Sequence, residues 1–159
     1  MVHRFWQGTI AGTYVGHGET YKHADDLVWW SKGGTLRGKS AERIGFLRRV
    51  LAEGPKEGLE PIDKWQDERT AGKAGEYYLV YLGKDKPTEW TVDLPGRFDA
   101  PITLTAEILD TWNMTVKPVP GEYTLKRKGD RMVADPPAVI ELPGKPYLAL
   151  RFRAKTTKK

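Results

Sequence analysis

The chain has 159 residues, 26 Lys and Arg against 21 Asp and Glu, and no cysteine. That length can bury a sizeable core without staples, and the missing thiols exclude disulfides, thiolate metal ligands and a cysteine nucleophile. A pI near 9.3 suits an anionic partner, but residues 1–70 carry eleven basic against ten acidic side chains, and part of the surplus lies in the tail "RFRAKTTKK". The expectation is a solvated tail with no nucleic-acid partner. No run approaches a membrane span, and "MVHRFWQGTIAG" is too short and glycine-broken for a signal-peptide core, so no membrane partner is expected and the cytoplasm is the default location.

Val2, Phe5, Trp6 and Ile10 form an amphipathic stripe of about three helical turns, weakened by Gly8 and Gly12. Thr13–Val15 reads as one short strand running into a glycine-supported loop. "SAERIGFLRRVLAE" is the second helix: Ser40 as N-cap, Glu42 in the first turn, Ile44, Leu47, Val50 and Leu51 as the buried face, and Gly54-Pro55 as the stop. Residues 1–58 form this first unit, 59–69 read as a linker, 70–155 as a small domain and 156–159 as a basic tail. In residues 70–155, short β-branched and aromatic segments such as "EYYLVYLG", "PITLTAEILDTW" and "YLALRFRA" alternate with Gly and Pro, which is the spacing of an antiparallel β-sandwich.

The fold class expected is therefore α+β, with a helix–strand–loop–helix segment ahead of the sandwich. A lone strand between two amphipathic helices cannot pair its own edges or bury both apolar faces, so the first unit looks incomplete and prone to associate.

"YVGHGETYKHADDLVWW", residues 14–30, concentrates the chemistry. His17, Glu19 and His23 lack both the i, i+4 histidine pair of a zinc hydrolase and a following Cys pair, so neither a metal nor any other cofactor is expected. Ser31 and Ser40 lack the Gly-x-Ser-x-Gly frame of a nucleophile. Gly33, Gly38, Lys39 and Ser40 satisfy the phosphate-loop spacing, but "DDLVWWSK" is not the buried strand such a loop must follow. Carboxylate chemistry fits better, because glycoside hydrolysis needs acids beside aromatic platforms, and Glu19 has His17, Tyr14, Tyr21, Trp29 and Trp30 around it in sequence. Glu19 and His17 holding the loop by hydrogen bonds is an equally good reading of the same residues.

"RFWQGTIAGTYVGHGETY", "WWSKGGTLRGKSAERIGFLRRVLAE", "DTWNMTV" and "LPGKPYLALRF" together resemble the C-terminal part of bacterial glycoside hydrolases with an apiosidase-like (β/α)8 barrel followed by a β-sandwich domain of unknown function. The resemblance implies that the first helix is the barrel's seventh, that residues 14–19 are its eighth strand and following loop, and that residues 40–53 are its last helix. It also implies that the catalytic carboxylates, on the fourth and seventh strands, lie outside this sequence. His17 and Glu19 would then be partners of sugar hydroxyls, Tyr21, Trp29 and Trp30 a stacking wall, carbohydrate the ligand, and the missing barrel portion or another copy of the chain a partner. The functional expectation is a C-terminal fragment of a glycoside-hydrolase-like protein, inactive alone. The alternative is a non-catalytic β-sandwich accessory or carbohydrate-binding module acting through "DTWNM", although Trp112 by itself reads as a core residue.

Overall fold

The computed structural model describes residues 1–16, 38–63, 65 and 67–155. Helix α1 (Val2–Ile10) and helix α2 (Ser40–Ala52) precede ten strands: β1 (Glu60–Pro61), β2 (Thr70–Lys73), β3 (Tyr77–Tyr81), β4 (Glu89–Thr91), β5 (Asp93–Pro95), β6 (Ile102–Asp110), β7 (Thr115–Lys128), β8 (Arg131–Ala134), β9 (Val139–Glu141) and β10 (Leu148–Ala154). Strand accounts for 41% of the described residues and helix for 17%, so the chain is mostly β.

Eight strands form one curled sheet in the order β1-β2-β3-β10-β6-β7-β8-β5, and β4 and β9 form a separate ribbon. Every strand pair is antiparallel. This corrects both halves of the expected fold class. The sandwich is instead a continuous curled sheet, because the last strand enters its middle: Leu150 of β10 pairs with Val80 of β3 on one side and Ile108 of β6 on the other. The β4–β9 ribbon closes the concave side, joined to the main sheet at the buried Val92, whose N–H donates to Ala138 and whose carbonyl accepts from Ala134.

No barrel end is seen among the described residues. The two helices lie on the convex face of the antiparallel sheet, where Val2, Trp6 and Ile10 of α1 and Phe46, Leu47 and Val50 of α2 share a core with Tyr77, Leu79, Tyr81 and Ala149. Their apolar stripes are thus covered within the chain, which removes the expected reason for association. Thr13–Val15 is not a strand: Thr13 donates both its N–H and its hydroxyl to the Gly8 carbonyl, folding the segment back along α1. A Cβ on Gly8 would stand 2.2 Å from Val15 Cγ2, so this glycine makes room for the returning chain.

Alternation along β3 divides the two cores. Tyr77, Leu79 and Tyr81 face the helices, while Tyr78 and Val80 join Leu104, Leu125, Leu150 and Phe152 in the concave core. Ser40 is not the N-cap of α2. Lys39 holds that position, and the Ser40 hydroxyl is buried in the first turn. Among the described residues no helix is long and apolar enough to cross a membrane.

Candidate functional site

His17, Glu19, Tyr21, Trp29 and Trp30 lie outside the described residues, as do His23, Ser31 and Gly33. Tyr14, the one member of that cluster within them, is fully exposed. Among the described residues no three His, Asp or Glu side chains are grouped to hold a metal ion. Aromatic and polar chemistry converges instead where the loop between β6 and β7 meets the loop between β9 and β10.

Asp110 ends β6 and builds this corner. Its Oδ1 accepts the N–H groups of Trp112 and Asn113 at 3.0 and 2.8 Å, and its Oδ2 accepts the Asn113 amide at 2.7 Å and the Lys145 ammonium. A short acceptor side chain bonded to the backbone two and three residues ahead is the standard way to force a tight turn. Burial works to raise the Asp110 carboxyl, but the bonds from Lys145 and Asn113 outweigh it and hold the group below the usual carboxylate value.

The turn sets Trp112 outward, 47% exposed, rather than in the core as its composition suggested. Two neighbours fix the indole. The Arg43 guanidinium of α2 lies 4.2 Å from the ring centre, within cation–π range, and donates to the Lys39 carbonyl at 2.6 Å. The Tyr147 ring lies 5.8 Å away, tilted by 32°. Tyr147 adopts φ +64°, a left-handed backbone uncommon for an aromatic residue. Its N–H donates to the Gly83 carbonyl at 2.6 Å, and its carbonyl accepts the N–H and hydroxyl of the buried Thr111. Such strain persists only where surrounding bonds over-determine it, and here it aims Tyr147 at Trp112.

Between them is a shallow groove of about 250 Å³ bounded by Trp112, Tyr147, Pro146, Asn113, Lys145 and Asp110. It has an aromatic floor with donors and an acceptor at one rim, which is the composition that holds a sugar ring: apolar C–H faces on the aromatics, hydroxyls on the rim. Sequence reading passed over Lys145 and Tyr147, since their partners lie 35 residues away at Asp110 and Trp112. The Asp-x-x-Asn turn was the local signal that Trp112 points outward.

Another groove lies between α1 and the end of β3. There His3 Nδ1 and the Tyr81 hydroxyl are 3.0 Å apart, and the His3 ring stands 6.0 Å from Tyr147. Burial and the nearby cations Lys84 and Arg4 lower the His3 pKa, and burial pushes the Tyr81 phenol up.

With this geometry in hand, comparison with known proteins places the chain. The profile of the family described as "Domain of unknown function (DUF5605)" matches residues 65–153, which covers more than half of the chain. The chain belongs to the DUF5605 family. The matched region of this DUF5605 domain holds the described strands from β2 onward, together with Asp110, Trp112, Lys145 and Tyr147. A similar solved structure is that of a protein from Bacteroides vulgatus described as a "putative glycoside hydrolase", with a TM-score of 0.84 and 29% identity. The match covers 98% of this chain and 32% of that one, so the chain spans about a third of the length of its structural neighbour. Curated proteins gave no match. The glycoside-hydrolase resemblance read from the sequence thus stands in coarse form, as a relationship to one such protein.

The corner makes one mechanical prediction. Asp110→Ala removes the acceptor of four donors, and because Trp112, Asn113 and Lys145 can turn in part to water at this surface turn, the expected net loss is about 2–3 kcal/mol of unfolding free energy. Because the carboxyl is held low in the fold, its contribution is full above the usual value of 3.8 and disappears as pH falls through the depressed value. Urea unfolding of both proteins at pH 7 and pH 3 checks this: the difference should shrink at pH 3.

Proposed function

We propose that this chain is a carbohydrate-binding part of a larger glycoside-hydrolase-like protein, holding sugar on the face built around Trp112. One observation carries the reading. A tryptophan half in solvent is pinned by Arg43 and Tyr147 and bordered by Lys145 and Asn113, so a flat apolar platform is pre-organised beside hydrogen-bonding groups. The relationship to the Bacteroides vulgatus protein supports it. In this reading the chain binds and orients carbohydrate, and the carboxylate pair that would cleave a glycosidic bond belongs to other parts of the protein. His17, Glu19, Tyr21, Trp29 and Trp30 remain, on their sequence pattern alone, proposed carbohydrate-contacting residues.

Calorimetric titration with a panel of soluble oligosaccharides tests the proposal. Trp112→Ala should weaken binding at least about 30-fold, the 2 kcal/mol typical of a binding hot spot. It should lower the unfolding midpoint only modestly, since the ring is half in solvent and forfeits its contacts with Arg43 and Tyr147 alone, while the fold stays intact by circular dichroism. Equal affinity of the two proteins would reject Trp112 as the platform.

A further inference from the structure

A second groove adjoins the first. It has a volume of about 400 Å³ and shares Asp110 and Lys145 with the Trp112 groove, so the ion pair between these two residues is the common wall. Its floor is Ile108 of β6 and Leu148 of β10. Its rim carries Thr115 and Lys117 from β7 and Glu141 from β9. The groove is thus the seam between the curled sheet and the β4–β9 ribbon.

Of the four charged side chains that line it, Lys145 and Asp110 bond each other. Lys117 and Glu141 differ: both are exposed, and among the described residues neither has a hydrogen bond or ion pair. Side by side on one rim they offer a donor cluster and an acceptor, with Thr115 able to act as either. Lys145 uses one of its three ammonium protons on Asp110 and lines both grooves, which leaves protons for a molecule crossing the wall. The charges of Lys117 and Lys145 balance those of Glu141 and Asp110. Such a surface favours neither polyanion nor polycation and suits a neutral polyhydroxylated chain.

We propose that this seam is a second sugar subsite, so that the binding face takes a neutral oligosaccharide laid across the Asp110–Lys145 pair rather than a single sugar unit. The proposal rests on the reading that the Trp112 groove holds carbohydrate. It adds the length and charge class of the ligand and assigns Lys117 and Glu141 to its recognition.

The test is calorimetric titration of the full chain with cello-, xylo- and manno-oligosaccharides of one to six units, and with galacturono-oligosaccharides of the same lengths. Wild type, Trp112→Ala and the double variant Lys117→Ala/Glu141→Gln are compared. Both side chains of the double variant are exposed and unpaired, so its thermal unfolding should match wild type. For a neutral series, affinity should rise about tenfold or more between the mono- or disaccharide and the tetrasaccharide, the size of one or two added hydrogen bonds. The double variant should lose that gain while keeping the short-ligand affinity, and Trp112→Ala should weaken every length. Affinity independent of length, a double variant indistinguishable from wild type, or preference for the galacturonate series would overturn the second subsite and leave the Trp112 reading standing. Binding of no oligosaccharide by wild type would overturn both.

Discussion

Trp6→Ala is expected to lower the unfolding free energy by about 3–5 kcal/mol, the usual cost of emptying a buried indole site. Trp6 is fully buried at the centre of the α1 stripe, its ring stacked at 5.4 Å on Tyr81 of β3 and 6.3 Å from Phe46 of α2. One side chain therefore joins both helices to the sheet. In a domain whose whole stability is about 5–15 kcal/mol, losing it removes a large share. Urea unfolding followed by far-ultraviolet circular dichroism checks this. The wild type should unfold in a single transition, because helices and sheet share one core, and the variant's midpoint should fall sharply. A separate early transition for the helices, with the sheet unaffected by Trp6→Ala, would mean that α1 and α2 are loosely attached.

Arg151→Ala should also lower the unfolding free energy, by somewhat less and through different physics. Arg151, on β10, is 3% exposed. Its Nε donates to Glu107 of β6 and its Nη1 to Glu53, just past the end of α2, both at 2.6 Å. Arg153 reaches Glu53 as well, at 3.2 Å. Removing Arg151 forfeits two charge-assisted bonds, but the Glu107 and Glu53 side chains, 22% and 54% exposed, regain water, so the cost is about 2–3 kcal/mol, below that of a fully buried pair. Replacing Arg151 and Glu107 together by Met and Leu should recover much of that loss, because an apolar pair of similar volume carries no uncompensated charge. The bond from Arg151 draws the Glu53 carboxyl below its usual 4.5. This contribution is therefore complete above that value and fades as pH falls through the lowered one. Chemical denaturation of the single and double variants decides the matter. A double variant no more stable than Arg151→Ala would show that the network contributes specific bonding rather than charge compensation.

Elements with local causes were legible in the sequence. The stripe of Val2, Trp6 and Ile10 and the run from Ser40 to Ala52 announce helices, and the residues of β3, β6 and β10 announce strands. Partners were not legible, because periodicity shows that a face is buried without showing what covers it. The missing clue was in β3. "YYLVY" is apolar at five successive positions, all buried, and a run that does not alternate marks a strand covered on both faces. Such a strand needs a layer on each side, and the helices supply the second one, so their apolar faces are not unpartnered. The insertion of β10 into the middle of the sheet was equally hidden, since Leu150 meets Val80 and Ile108 across gaps of 70 and 42 residues.

At the candidate site, reading by residue type favoured the histidines and tryptophans of residues 14–30, which lie outside the described part of the fold. Trp112 belongs to the "DTWNM" face of the alternative module reading, yet by residue type alone it reads as core, because tryptophan is usually buried. What places it outside is Asp110, whose bonds to the N–H groups two and three residues on make a turn, and turns lie at the surface.

The most direct measurement of the binding face is fluorine NMR of the chain labelled with 5-fluorotryptophan, titrated with the oligosaccharide of highest affinity. Its six tryptophans give six resonances, and Trp112→Phe assigns one of them. A saturable shift of the Trp112 resonance, with Trp6 unmoved in its core, is the expected result. A spectrum in which saturation leaves Trp112 in place, whether other resonances move or none does, would contradict a carbohydrate face built on Trp112.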